Sequence, residues 1–215
     1  MPTPDSTFAA VILAAGTSSR MGSTKALLDL GGKPLIQRLV QTIRSVPQIR
    51  PIVVVTGHDP HAIQNAVGCG DVQYVHNRSF LEGGMLSSVQ AGVSAVAGLC
   101  DAFFLALLDQ PLIEPVTLTQ MIQKWDEARP DILIPALNEK RGHPILINSK
   151  LIDEIETLSN PRTLRDFVLK HPSQSHVIAV TDVGILTDVD TPQDYENILN
   201  LWRTVRCPTE AESPD

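Results

Sequence analysis

Three short stretches are apolar at every position: residues 8–13 (FAAVIL), 52–55 (IVVV) and 102–108 (AFFLALL). Each carries β-branched or aromatic side chains and stops at a small or polar residue, the pattern of a strand covered on both faces. Between them the apolar spacing changes to threes and fours. Leu35, Ile36, Leu39, Val40 and Ile43 form one such series, and Met85, Val89, Val93 and Val96 another, so amphipathic helices are predicted there. Leu118, Met121, Ile122 and Trp125 repeat the pattern, as do Tyr195, Ile198, Leu199 and Trp202. Thr191 suits the cap of this last helix, with Pro192 at its first position and Asp194 in its first turn. Residues 131–134, 144–147, 176–180 and 184–186 read as further strands, some of them antiparallel. Strands alternating with helices predict an α/β fold: an open, mostly parallel sheet, right-handed crossovers, and helices on both faces. Residues 8–206 are read as a single domain between a flexible start at 1–7 and a polar, flexible tail at 207–215.

With 215 residues, 43% of them hydrophobic, the chain can bury a substantial core. Lys and Arg number 17 against 24 Asp and Glu, a formal charge of -7. That balance excludes a broad nucleic-acid or lipid-binding surface, so any anionic ligand must be held by a local site. The apolar runs fall far short of the roughly 20 residues a membrane helix needs. Cys69, Cys100 and Cys207 stand far apart, an odd set that suits neither a disulfide framework nor a structural zinc site. With no basic, apolar leader at the N-terminus, the expected location is the cytoplasm.

In open α/β sheets a ligand binds beyond the carboxyl ends of the strands, which selects residues 14–25, 56–61, 77–85 and 109–111. The first of these loops is distinctive. Leu13-Ala14-Ala15-Gly16-Thr17-Ser18-Ser19-Arg20-Met21-Gly22-Ser23-Thr24-Lys25 packs small residues, hydroxyls and two cations directly after a buried strand. Small side chains let a phosphate approach backbone N–H groups, while Arg20 and Lys25 supply charge. The spacing matches neither a Walker A loop nor a G-x-G-x-x-G fingerprint, because Ser23 follows Gly22 and Ser18 stands where a second glycine belongs. An ordinary Gly/Ser-rich turn is the alternative.

Asp109 closes the strand at 102–108 and precedes Gln110-Pro111. A carboxylate facing a phosphate loop is placed to hold Mg²⁺, which takes one or two carboxylates together with waters and phosphate oxygens. An aspartate that only caps the turn before Pro111 is the competing reading. Asp188 and Asp190 in Thr187-Asp188-Val189-Asp190-Thr191-Pro192 would share one face if that segment were a strand, and both would then reach the same metal. The alternative for them is helix-start chemistry ahead of Thr191.

Taken in order, Leu13-Ala14-Ala15-Gly16 through Arg20-Met21-Gly22 to Lys25-Ala26-Leu27-Leu28, Thr56-Gly57-His58, Asn77, Gly84-Met85-Leu86-Ser87-Ser88-Val89, Leu107-Leu108-Asp109-Gln110-Pro111, Gly142-His143-Pro144 and Asp188-Val189-Asp190-Thr191-Pro192 resemble the MobA-like nucleotidyltransferases. Within that group the chain is most similar to the molybdenum cofactor cytidylyltransferases. The resemblance runs from residue 8 to about 200 and implies a Rossmann-like nucleotide-diphospho-sugar transferase fold. It implies transfer of a nucleoside monophosphate from an NTP, CTP favoured, to a phosphorylated pterin or another small phosphate acceptor, with Mg²⁺ as cofactor. A molybdoenzyme or its chaperone is the implied protein partner.

The same resemblance assigns nucleotide binding to Leu13, Ala14, Ala15, Gly16, Lys25, Thr56, Asn77 and Gly84, and acceptor binding to Met85 and His143. It implies catalytic roles for Arg20, Lys25 and Asp109 and metal binding by Asp109, to which the reading of residues 187–192 adds Asp188 and Asp190 as metal candidates. The cytidylyl preference leans on Ala15, where guanylyl-transferring relatives usually carry a second glycine, and on Gly142-His143-Pro144. One stretch departs from the pattern. Where many cytidylyl relatives carry Gly-Asp-x-Gly-Ala-Arg, this chain has Ser159-Asn160-Pro161-Arg162-Thr163-Leu164-Arg165-Asp166, which bears on the acceptor more than on the nucleotide. Competing functions are a GTP-using guanylyltransferase, a sugar-phosphate nucleotidyltransferase, and a non-catalytic nucleotide- or cofactor-binding delivery module.

Overall fold

The computed structural model describes residues 6–17, 21, 24–68, 70–159, 164–172 and 174–206. Its strands are β1 (Phe8–Ala14), β2 (Ile49–Thr56), β3 (Val72–His76), β4 (Ala102–Leu107), β5 (Ile132–Leu137), β6 (Lys140–Arg141), β7 (Ile145–Asn148) and β8 (Ser175–Ala179). They form one sheet in the order β3-β2-β1-β4-β7-β5-β6, with β8 pairing β5. β1 lies parallel to both β2 and β4, and β2 parallel to β3. β7 runs antiparallel between β4 and β5, while β8 is parallel to β5.

The uniformly apolar strands are the central ones, because each face of each strand meets helices. Phe8, Ala10, Ile12 and Ala14 of β1 pack into one core with Leu35, Leu39 and Ile43 of α1 (Leu35–Arg44), Ile63 of α2 (Pro60–Val67), and residues of the later helices described below. Ala9, Val11 and Leu13 face the other way. They meet Val89, Val93 and Val96 of α3 (Gly84–Val96). α4 (Pro115–Ala128) adds Leu118, Met121 and Trp125 to the first core. α5 (Ile152–Glu156) and α6 (Leu164–Lys170) cover the second, through Ile152, Ile155 and Phe167. α7 (Pro192–Arg206) returns to the first face with Ile198. The expected α/β architecture, mostly parallel with helices on both faces, is the one observed.

Several elements escape the apolar pattern, β3 and α2 among them. β3 is an edge strand whose side chains are half-buried or exposed, so Val72-Gln73-Tyr74-Val75-His76 lacks the continuous apolar signature. α2 has only Ile63 and Val67 buried. One expectation is corrected: residues 184–186 belong to a 3₁₀ turn, Val183–Leu186, and not to a strand. The Asp182 carboxylate accepts a hydrogen bond from the Gly184 N–H at 2.7 Å and starts the turn. Gly184 then lies so close to the Leu112 carbonyl that a Cβ would sit 2.3 Å from its oxygen.

α3 approaches the sheet closely at Gly92, where a Cβ would lie 2.3 Å from Val11 Cγ1 and 2.9 Å from Val55 Cγ2. Gly92→Val is expected to overpack this contact and destabilise the protein by about 1–3 kcal/mol. Equilibrium urea unfolding reads the change, and an unaltered midpoint would mean that α3 and the sheet are not in such close contact.

Candidate active site

β1 and β4 end side by side, with Leu13 opposite Leu107, so the loops that leave them begin at the same level. They border a cavity of about 390 Å³, a size typical of small-molecule sites. One wall is the turn from Leu13 to Thr17. The opposite wall is Leu107, Leu108 and Asp109, and the start of α3 contributes Gly84, Met85 and Ser88 beside Phe80 and Leu81. Lys25 enters from a short 3₁₀ turn, Lys25–Leu27.

The first loop is held from behind. The His58 N–H donates to the Ala15 carbonyl at 3.4 Å, and the Leu108 N–H to the Leu13 carbonyl at 3.3 Å. Gly57 has no room for a side chain: a Cβ there would lie 2.7 Å from the Ala15 oxygen and 2.6 Å from the Phe80 ring. Thr56-Gly57-His58 therefore backs the loop.

Thr56 is fully buried, and its hydroxyl donates to the Val75 carbonyl at 3.4 Å. Asn77 is also buried. Its Nδ2 donates to Ser87 Oγ at 2.8 Å and Ser88 Oγ at 3.0 Å, while its Oδ1 accepts from the Ser79 N–H at 2.9 Å. Neither residue lines the cavity, because the polar groups of both are spent on internal bonds. Ser88 does line it. Its oxygen already accepts from Asn77, which leaves the hydroxyl proton for an acceptor on a ligand. Ser88 stands four residues after Gly84 on the same helical face, a spacing present in the sequence and not used by the assignments above.

The charged groups gather at the end of β4. Lys25 Nζ lies 2.8 Å from Asp190 Oδ1 and 3.9 Å from Asp109 Oδ2. Asp109 Oδ1 is buried and accepts no hydrogen bond, while its backbone carbonyl accepts from the Val189 N–H at 2.9 Å. That bond fixes the Asp188–Asp190 segment against β4. The segment is not a strand, so the argument from alternating faces does not hold, and the two aspartates take different partners. Asp188 Oδ1 accepts from Gln110 Nε2 at 2.6 Å, whereas Asp190 pairs with Lys25. Helix-start bonding is carried instead by Asp194, whose Oδ2 accepts from the Thr191 N–H and Thr191 Oγ1, each at 2.8 Å.

Burial raises the Asp109 carboxyl to about 6, partly offset by Lys25 and reinforced by Asp188 and Asp190. Desolvation disfavours its ionised form, and the two nearby carboxylates add like-charge repulsion. His143 is pushed down, chiefly by burial, with the Leu105 carbonyl and Asp188 acting against the shift. Its Nδ1 is buried without a partner, and the residue does not line the cavity. Gly142 packs against the Val183–Leu186 turn, where a Cβ would lie 2.2 Å from the Ile185 oxygen. Gly142-His143-Pro144 is thus a packing element beside the site. Met85 is exposed at the cavity edge together with Leu81.

Leu13, Ala14, Ala15, Gly16, Lys25, Gly84, Met85 and Asp109 are brought to one cavity, with Asp190 joined through Lys25. Arg20, Gly22 and Ser23 of the first loop lie outside the described residues, as do Arg162 and the Arg165 side chain. Among the described residues no group of three or more His, Cys, Asp or Glu is placed to hold a metal ion. The donor set fits a cation that brings its own waters and phosphate oxygens, such as Mg²⁺: Asp109 has one unpartnered buried oxygen, and Asp190 shares its ammonium neighbour.

Residues 10–176 match the family model of the MobA-like NTP transferase domain. The chain is 26% identical over 186 residues to the molybdenum cofactor cytidylyltransferase of Escherichia coli (strain K12), covering 86% of this chain and 92% of that protein. It is 34% identical over 137 residues to the bifunctional protein GlmU of Burkholderia lata, covering 62% of this chain but only 29% of GlmU. Its fold superposes on that of Rv0371C in complex with manganese, from Mycobacterium tuberculosis H37Rv, with a TM-score of 0.76 at 22% identity, covering 90% and 98% of the two chains.

The raised Asp109 carboxyl has a consequence for stability. Its folded-state value of about 6 lies above the unfolded value near 3.8. The protonated form is therefore favoured by folding, and this contribution is present below about pH 4 and lost as pH rises through about 6. Asp109→Asn is expected to be more stable than the parent at pH 7.5, by ~2 kcal/mol, with the difference gone at pH 4. Urea unfolding at both pH values measures this, and a variant less stable than the parent at pH 7.5 would contradict the assigned burial cost.

Proposed function

The chain belongs to the MobA-like NTP transferase family, and on that premise we propose that it moves CMP from CTP to a phosphorylated acceptor and releases pyrophosphate. The observation that carries the reading is the single cavity shared by Lys25, Asp109 and the Leu13–Gly16 turn. The acceptor favoured is a phosphorylated pterin, molybdopterin or its molybdenum form. Similarity to the Escherichia coli cytidylyltransferase and the presence of Ala15 support both CTP and this acceptor.

The reaction is in-line attack of an acceptor phosphate oxygen on the α-phosphorus. The P–O bond to the β-phosphate breaks, and pyrophosphate leaves with the electron pair. Attacking and attacked groups are both anions, and two unit charges about 4 Å apart repel by roughly 4 kcal/mol at an effective dielectric near 20. Lys25 acts against that repulsion and stabilises charge on the leaving pyrophosphate. Amides of the Leu13–Gly16 turn receive phosphate oxygens, and the small side chains of Ala14, Ala15 and Gly16 let them approach. The Ser88 hydroxyl donates to the base or ribose, oriented by Asn77. Phe80, Leu81 and Met85 present an apolar lip suited to a flat heterocycle on the acceptor. Asp109 and Asp190 would hold Mg²⁺, which supplies charge neutralisation at the phosphates.

An acceptor phosphate is largely ionised at neutral pH, so no general base is required. A largely buried histidine with a lowered pKa, His143, fits this scheme as a structural group. A sugar-phosphate acceptor on the same nucleotidyltransferase chemistry is the second reading. It shares the Lys25 and Asp109 chemistry and differs on the apolar side of the cavity.

Pyrophosphate release with each of the four NTPs, with a phosphorylated pterin or a sugar 1-phosphate as acceptor, tests the reading. CTP with the pterin is expected to give the fastest release, and preference for a sugar phosphate would move the assignment to the second reading. Lys25→Ala and Asp109→Ala are each expected to slow turnover about a hundredfold, on the order of 3 kcal/mol of transition-state stabilisation. Near-parental turnover in either variant would remove the role assigned to that residue.

A further inference from the structure

Lys25 lines the cavity where the phosphates would lie, and yet its ammonium is paired with the carboxylate assigned to the metal. Its Nζ sits 2.8 Å from Asp190 Oδ1 and 3.9 Å from Asp109 Oδ2. We propose that in the nucleotide-free protein Lys25 is an internal stand-in for the divalent cation, holding Asp109 and Asp190 together, and that it leaves Asp190 for the phosphates when nucleotide binds. This rests on the transferase reading and adds an exchange that the reading does not contain.

Three features carry the exchange. First, Asp109, Asp188 and Asp190 place like charges around the end of β4, and close carboxylates need a countercharge between them. Gln110 gives Asp188 a neutral donor, whereas Lys25 gives the other two a cation. Second, the backbone of Lys25 is held by bonds that do not involve its side chain. The Leu27 N–H donates to the Thr24 carbonyl at 2.9 Å, the Leu28 N–H to the Lys25 carbonyl at 3.1 Å, and Ala26 between them is buried. Rotation about the flexible four-carbon stem then moves the ammonium without moving the turn. Third, the pair is open to solvent on its acidic side: the Asp190 side chain is 49% exposed against 13% for Lys25, so solvent screening weakens it from that side. Asp109 Oδ1, by contrast, is buried with no partner, so one face of that carboxylate stays vacant for an incoming ligand.

The exchange gives Lys25 opposite effects on two ligands. Without nucleotide it competes with the cation for Asp109 and Asp190. With nucleotide it rests on phosphate, and the carboxylates are released to the metal. Nucleotide and cation therefore promote each other's binding through one side chain, and the coupling is reciprocal.

The test measures Mn²⁺ binding to the full-length, nucleotide-free protein by the electron paramagnetic resonance signal of free Mn²⁺. Lys25→Met is expected to bind Mn²⁺ about fivefold tighter or more, the lower range of coupling between sites, whereas Lys25→Arg keeps the parental affinity. Equal or weaker Mn²⁺ binding by a folded Lys25→Met variant overturns the proposal. A second measurement uses the parent protein alone, so a folding defect in the variant cannot mask the result. Reductive methylation of Lys25, followed by mass spectrometry, should accelerate as Mn²⁺ is added, and an unchanged or slower rate counts against the exchange. The two readings fail separately: tight Mn²⁺ binding by Lys25→Met with no pyrophosphate from the parent sinks the transferase, whereas parental turnover with no gain in Mn²⁺ affinity sinks the exchange.

Discussion

The parallel pairing of β1 with β4 is the constraint on which the site depends. Because Leu13 stands opposite Leu107, a phosphate-type turn and an aspartate leave the sheet at the same level and face one space. The pairing is possible because both strands are apolar on both faces, each face meeting its own helices. The antiparallel β7 then pairs with the far side of β4 and carries β5 beyond it. Beyond it, the Val183–Leu186 turn is packed against Leu112 and Gly142, and the chain comes back past the end of β4. That return brings the third group, Asp190, to the ammonium of Lys25.

The site accepts an electrostatic cost. A largely buried Asp109 beside two further carboxylates is held well above the ordinary range of its kind, and Lys25 only partly offsets this. Groups with such displaced pKa values concentrate at functional sites. Here the displacement has a direct cause, since one carboxylate oxygen is buried with nothing to bond. On the proposed reading the charge belongs to an arrangement completed by a ligand, and the proposed exchange at Lys25 describes how the charge is balanced before the ligand binds.

Much of this architecture was legible from residue patterns. Uniform apolar runs marked β1, β2 and β4, because two-sided burial leaves no polar alternation to read. The helical spacings of α1, α3, α4 and α7 were equally direct, as was the Thr191-Asp194 start of α7. Edge strand β3 was hidden because none of its five side chains is fully buried. The Gly184-Ile185-Leu186 stretch misled because Asp182 caps a tight turn there. At the site, Leu13, Ala14, Ala15, Gly16, Lys25 and Asp109 follow from their position after buried strands. The burial of Thr56, Asn77 and His143 does not. It depends on partners distant in sequence, such as Val75 and Ser88, as does the division of Asp188 and Asp190 between Gln110 and Lys25.

The most direct measurement is a crystal structure of the protein with Mn²⁺ and a non-hydrolysable CTP analogue, read by anomalous scattering. The account predicts a manganese peak bonded to Asp109 and Asp190, with Lys25 Nζ on a phosphate oxygen and the base beside Ser88. A nucleotide bound elsewhere, or a cavity in which Lys25 still grips Asp190 and the manganese lies away from Asp109, would contradict it.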